Sequence, residues 1–135
     1  MSKDEPRTAV DVGVLVKDLE RSLAFYRDLL DLPVINEVQL SLLGQGRLVQ
    51  LRYGHSLIKL IELERLPHKQ ISADITEALG YRYITLLVPD IRSVVTRLEQ
   101  AGMNLTLPIT NLPNSAQIAM VTDPDGNVLE FVQES

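Results

Sequence analysis

The chain has 135 residues, of which 45% are hydrophobic and 23% charged, a balance that suits one soluble globular domain with a buried core. A net charge of -5 argues against a nucleic-acid partner, because phosphate contacts need clustered Lys and Arg. Cysteine is absent, which removes disulfides, thiolate nucleophiles and thiolate metal sites together. No apolar run approaches the roughly 18 residues of a membrane span, and Met1 to Arg7 is charged with no apolar stretch of a secretory leader. The default expectation is a cytoplasmic protein that binds a small molecule or another protein chain, with no membrane partner.

In chain order, Val10, Val12, Val14 and Val16 alternate as a strand that ends in Asp18. The Asp18 carboxylate is placed to accept from the exposed amides of a first helical turn. Leu19, Leu23, Tyr26 and Leu30 then recur at helical spacing. Strand-like runs follow at Val34–Leu40, Arg47–Tyr53 and Ser56–Leu63, with Gly54-His55 as a hairpin turn and Gly44 to Gly46 as another. Residues 65–80 contain Pro67 and a short helical pattern over Ala73–Leu79, and read as a linker. Beyond it, Ile84, Leu86 and Val88 form a strand ending in Asp90, and Ile91, Val94, Val95 and Leu98 form a helical face, with Gly102 as its left-handed stop. Further strands are expected at Met103–Leu107, Ala116–Thr122 and Val128–Val132, with Asp123 to Asn127 as a turn.

The two halves repeat. Asp18 and Asp90 lie 72 residues apart, and the same offset carries Val12 onto Ile84. Each copy is an apolar strand, a capping Asp, a helix and three more strands.

The segments running from Asp18 through Phe25 and Tyr26, the Leu60-Ile-Glu-Leu63 run, Leu87-Val-Pro-Asp90 and Asp123 through Glu130 to Phe131 resemble the glyoxalase/bleomycin-resistance/dioxygenase superfamily, also called the vicinal oxygen chelate superfamily. The resemblance covers about Val10 to Gln133. It implies an α+β fold in which two βαβββ modules form one open, curved eight-stranded sheet, within a single domain spanning 1–135. Module one would cover about 9–64 and module two about 81–133. It also implies a small-molecule ligand in the cup of the sheet, a divalent metal in most enzymes, and a homodimer.

The family's metal ligands map by resemblance to Asp11, Glu62, Tyr83 and Glu130. Strand alternation leaves Asp11, with Ala9, Gly13 and Leu15, on the face opposite the valines, and sends Tyr83 and Thr85 into the cup. Glu62 and Glu130 each interrupt an apolar strand, where an unpaired carboxylate is costly and calls for a role. These two are the candidate catalytic residues; Lys59 or Arg52 could instead pair with them. Asp11 and Tyr83 stand where metal-dependent members commonly carry His. The two-His, one-carboxylate triad of the extradiol dioxygenases cannot be assembled from them. Three carboxylates brought together need protonation, a cationic ligand, an Arg, or a hard ion such as Mg²⁺, Mn²⁺ or Ca²⁺ held by Asp11, Glu62 and Glu130. Tyr83 reads instead as a ring that fills the cup and hydrogen-bonds a carboxylate. Gln50, Arg52 and Gln117, alternating with core residues, complete the expected ligand contacts together with Asp11 and Tyr83. His55, in a turn, and His68, in the linker, are expected to be solvated.

Three readings of function follow. One is an isomerase, epimerase or lyase of glyoxalase-like kind, in which Glu62 or Glu130 moves a proton beside a carbonyl. The alternative is a metal-free binding or sequestering protein of the bleomycin-resistance kind, capturing a cationic ligand. A third is a structural or regulatory dimer without a working site.

Overall fold

The computed structural model describes residues 7–42 and 44–135, so of the charged N-terminal stretch only Arg7 falls within it. The chain divides into two compact units, one ending at His68 and one starting at Lys69. Module one runs β1 (Val12–Leu15), α1 (Leu19–Leu23), β2 (Val34–Leu40), β3 (Gly46–Tyr53) and β4 (Ser56–Leu63). Module two runs β5 (Tyr83–Leu87), α2 (Ile91–Gln100), β6 (Leu105–Asn111), β7 (Gln117–Thr122) and β8 (Val128–Gln133). The eight strands form two four-stranded sheets of the same order, β1-β4-β3-β2 and β5-β8-β7-β6. In each, the first strand pairs parallel with the last and the other pairings are antiparallel.

Each helix starts where the sequence places a cap. Asp18 accepts from the Arg21 amide at 3.3 Å and Asp90 from the Ser93 amide at 3.2 Å. α1 passes into a π-helical segment over Ala24–Leu29, closed by the Leu30 amide on the Phe25 carbonyl at 3.0 Å. This widened turn brings consecutive Phe25 and Tyr26 both into the core, with their rings edge to face at 4.9 Å. Asp31, at φ 61, supplies the left-handed stop that Gly102 supplies after α2.

The helix-covered face of each sheet holds the core. In module one, Val49, Leu51, Ile58 and Leu60 lie under Leu19, Leu23, Phe25 and Tyr26; in module two, Leu86, Ala119, Val121, Leu129 and Phe131 lie under Ile91, Val95 and Leu98. On the opposite face of module one no side chain is fully buried among the described residues. We refer to it, and to the face of module two that carries Tyr83, Thr85 and Glu130 opposite its core, as the open face of each module.

Two expectations need correction. Ala73–Leu79 forms turns, not a helix: the Asp74 side chain accepts from the Thr76 amide and the Asp74 carbonyl from the Glu77 amide, which closes the backbone locally. The strand expected at Met103–Leu107 begins and ends later, at Leu105–Asn111, with register breaks on either side of Leu107. Pro108, which has no N–H to give a ladder, sits in this edge strand at one of those breaks. No described helix is long and apolar enough to cross a membrane.

Candidate functional site

In module two the open face is organised around Glu130. β5 and β8 pair Thr85 with Glu130, and the Thr85 hydroxyl donates to Glu130 Oε1 at 2.7 Å. Tyr83 pairs with Val128, two residues earlier on the same face, and is 47% exposed. Thr85, not the Tyr83 phenol, is therefore the hydrogen-bond partner of the carboxylate, and alternation from Tyr83 already points to it. Glu130 borders a cavity of about 270 Å³, whose apolar wall is Leu112, Ala116, Ile118 and Val132, with Asn114 and Glu134 at its rim. The volume is slightly below the roughly 300–1,000 Å³ of drug-sized ligand sites, so it suits a small ligand or one end of a larger one. A second recess, of about 410 Å³, runs along the solvent side of α2 past Arg92, Ser93, Thr96 and Gln100, and brings no converging groups from the sheet.

In module one Asp11 lies just before β1 and is fully engaged. Arg7 Nη1 and Nη2 donate to its two oxygens, each at 2.7 Å, and the Leu57 amide donates to Oδ1 at 2.8 Å. The Arg7 guanidinium, first through its hydrogen bonds, holds the Asp11 carboxyl well below the usual carboxylate range; the Leu57 amide and the charge of Lys59 add to this. Arg7 also donates to the His55 carbonyl, which ties the chain before β1 to the β3–β4 hairpin. His55 and His68 are both exposed.

Glu62 lies on the other side of the sheet. It shares a face with buried Ile58 and Leu60, and its Oε2 accepts from the Leu19 amide, the first of α1, at 2.7 Å. Gln133 does the same in module two, accepting from the Ile91 amide at 2.8 Å. Glu62 and Gln133 are structural equivalents, 71 residues apart, one fewer than the offset of the first strands. The expected pairing of Glu62 with Glu130 is corrected accordingly. Gln117 is corrected for the same reason: it pairs with Gln133, neighbours buried Ala119 on the helix face, and donates to Asn111 at 3.0 Å.

The residue equivalent to Glu130 is Lys59, which the sequence suggested only as an ion-pair partner for Glu62 or Glu130. β1 pairs Val12 with Ile58 and Gly13 with Lys59, just as β5 pairs Ile84 with Leu129 and Thr85 with Glu130. Gln50 pairs with Lys59, Asn36 with Gln50, and Arg52 with Leu57, so Gln50, Asn36 and Arg52 belong to the same open face. The expected contacts Gln50 and Arg52 thus share a face with Lys59 and Asp11, while Glu62 does not.

The profile of the Glyoxalase/Bleomycin resistance protein/Dioxygenase superfamily matches residues 8–131. The chain belongs to that superfamily. Its fold is similar to that of a glyoxalase family protein from Bacillus cereus (21% identity, TM-score 0.79, covering 99% of this chain and 98% of that one). It is also similar to the trypanothione-dependent glyoxalase I of Leishmania major (26% identity, TM-score 0.70, 96% and 88% covered). The fosfomycin resistance protein FosX of Listeria monocytogenes is a further likeness (13% identity, TM-score 0.70, 97% and 96% covered). No curated protein matches the sequence.

Superfamily members often bind a divalent metal, and the donor set here does not fit one. Asp11 spends its oxygens on Arg7 and Leu57, Glu62 faces the helix, and an ammonium stands in module one where module two has its carboxylate. No group of three or more His, Asp or Glu able to hold a metal occurs among the described residues. At Asp11 the Arg7 guanidinium supplies the compensation that an ion would otherwise give.

Proposed function

We propose that this chain is a small-molecule binding protein of the superfamily that works without a metal. The observation that carries the reading is the exchange of charge at equivalent positions, Lys59 in module one for Glu130 in module two. In this reading Glu130, oriented by Thr85 at 2.7 Å, anchors one polar group of a ligand whose apolar part lies against Ile118 and Val132. Tyr83 adds a half-exposed ring on the same face. The expectation of a cationic ligand rested on three carboxylates, and of the three only Glu130 is both on an open face and, among the described residues, without a neutralising guanidinium.

A second reading is supported by the same carboxylate. A Glu fixed by a hydroxyl at the border of a cavity is a competent proton acceptor for a ligand C–H or O–H, and would serve a metal-free isomerase or lyase. One experiment separates the two. Metal-stripped protein is screened for thermal stabilisation against small oxygenated compounds, and each hit is incubated and followed for conversion, with wild type and Glu130→Gln side by side. Binding without conversion that weakens in the variant is expected. Conversion that Glu130→Gln abolishes while binding persists would move the assignment to the enzyme, and binding that requires added metal would defeat the proposal.

A further inference from the structure

The side chains on the open face of module one form an ordered pattern that its fold does not require. The register sets Gly13, Lys59, Gln50 and Asn36 in one row across all four strands. Directly paired residues stand about 5 Å apart at Cβ, close enough for one small group to touch neighbours in the row. Gly13 leaves room beside Lys59, since a Cβ there would meet only Ile61 Cδ1 at an ordinary 3.8 Å. The row is rich in donors: an ammonium and two carboxamides.

The rows on either side complete the pattern. Toward the start of β1 lie Asp11 and Arg52; Asp11 feels the charge of Lys59, but its salt bridge is to Arg7 and it makes none with Lys59 among the described residues. Toward the other end lie Leu15, Ile61, Leu48 and Val38, of which Leu15 is 49% and Val38 37% exposed. Lys59 and Arg52 are thus the cations of this face without a carboxylate within salt-bridge distance among the described residues, in a chain of net charge -5.

Resting on the reading that the open faces take small molecules without metal, we infer that this face binds an amphiphilic organic anion. Its carboxylate or similar oxyanion is held by Lys59, with Gln50 and Asn36 donating alongside and Arg52 near, and its hydrocarbon part lies over the row of Leu15, Ile61, Leu48 and Val38. The charge at Lys59 is a point charge on a flexible stem, which suits a monoanionic head that shifts within the row.

The test is a titration of amide NMR spectra with octanoate and, separately, octylammonium, on metal-stripped wild type, Lys59→Met and Lys59→Arg. Octanoate is expected to move the amides of Gln50, Lys59 and Ile61, to bind about tenfold more weakly to Lys59→Met, and to bind Lys59→Arg within about threefold of wild type. Well-dispersed spectra for both variants show that they are folded, and Lys59→Arg keeps the question answerable if Lys59→Met is not. No movement on this face, equal octanoate affinity in Lys59→Met, or a preference for octylammonium would overturn the inference. If any of these occurs while a metal-free ligand still moves Ile118 and Val132, only the anion site falls. Metal-dependent binding of every ligand would instead bring down the functional reading beneath it.

Discussion

Glu62 gives the sharpest test of the register, because its two possible faces predict opposite phenotypes. The Leu19 amide is the first of α1, and Leu19 is 0% exposed, so removing the Glu62 carboxylate takes the acceptor from a buried helix donor. Glu62→Ala removes a charge-assisted bond of 2.7 Å at a helix N-terminus, at a cost of about 1–2 kcal/mol. For 135 residues the unfolding entropy is about 0.28 kcal/mol/K, so Tm should fall by about 4–7 °C. Glu62→Gln keeps the acceptor and loses only the dipole interaction, about 0.3–1 kcal/mol, or about 1–4 °C. Gln133 already shows a neutral amide in that role at 2.8 Å, and Gln133→Ala should resemble Glu62→Ala. Calorimetry on the four proteins, with ligand affinity measured on each, settles the matter. The reasoning is refuted if Glu62→Ala leaves Tm within about 1 °C of wild type while ligand affinity collapses, which is what a residue of the ligand site would do.

Three smaller expectations follow from single residues. The Asp11 carboxyl is depressed by Arg7, so its contribution is present above the ordinary value of 3.8 and lost as pH falls through the folded one. Asp11→Asn should therefore be less stable than wild type at neutral pH, with the gap closing in acid; a carboxyl NMR titration with a midpoint at or above 3.8 would contradict this. Gly54 holds φ 59 in the two-residue turn between Tyr53 and Ser56, with nothing within 4 Å of an added Cβ, so Gly54→Ala should lose about 1 kcal/mol through backbone strain alone. An unchanged denaturation midpoint would show that the turn had relaxed. The Ser22 hydroxyl is fully buried and has no hydrogen-bond partner among the described residues, so Ser22→Ala should be neutral or stabilising by up to about 1 kcal/mol; a loss above that would reveal an acceptor beside it.

The repeat, the order of elements and the two capping aspartates were legible in the sequence because each rests on a local signal: alternation, helical spacing, a cap residue. Val34–Leu40 and Ser56–Leu63 match the expected strands end to end. Which face a side chain takes on the inner strands was not legible. β4 carries apolar residues at 57, 58, 60, 61 and 63, on both faces, because it lies between β1 and β3, so alternation cannot orient Glu62. The pairing partner orients it, and that depends on hairpin length. Module one turns from β3 to β4 in two residues, Gly54 and His55, whereas module two uses the longer turn from Asp123 to Asn127. There Asp123 accepts from the Asp125 and Asn127 amides at 2.9 and 2.8 Å, which winds the chain locally. That turn adds one residue between paired positions (Gln50 to Lys59 against Met120 to Glu130), while the stretch from the first strand to the third is two residues shorter in module two (Gly13 to Gln50 against Thr85 to Met120). The offset between last strands is therefore 71 where that between first strands is 72, and one residue exchanges the two faces of a strand. Lys59 and Glu62 trade places on that account. The linker is likewise shaped by a long-range partner: Arg82 donates to the carbonyls of Ser72 and Asp74 at 2.6 and 3.0 Å, and these contacts accompany turns where a helical pattern was expected.

The exchange of Lys59 for Glu130 is tested most directly by metal content. Purified protein, stripped with chelator and offered Mg, Mn, Ca, Ni, Zn and Fe in turn, is assayed by elemental mass spectrometry after dialysis. The account predicts far less than one equivalent of every ion. One equivalent of any ion, lost in Glu130→Gln, would contradict it.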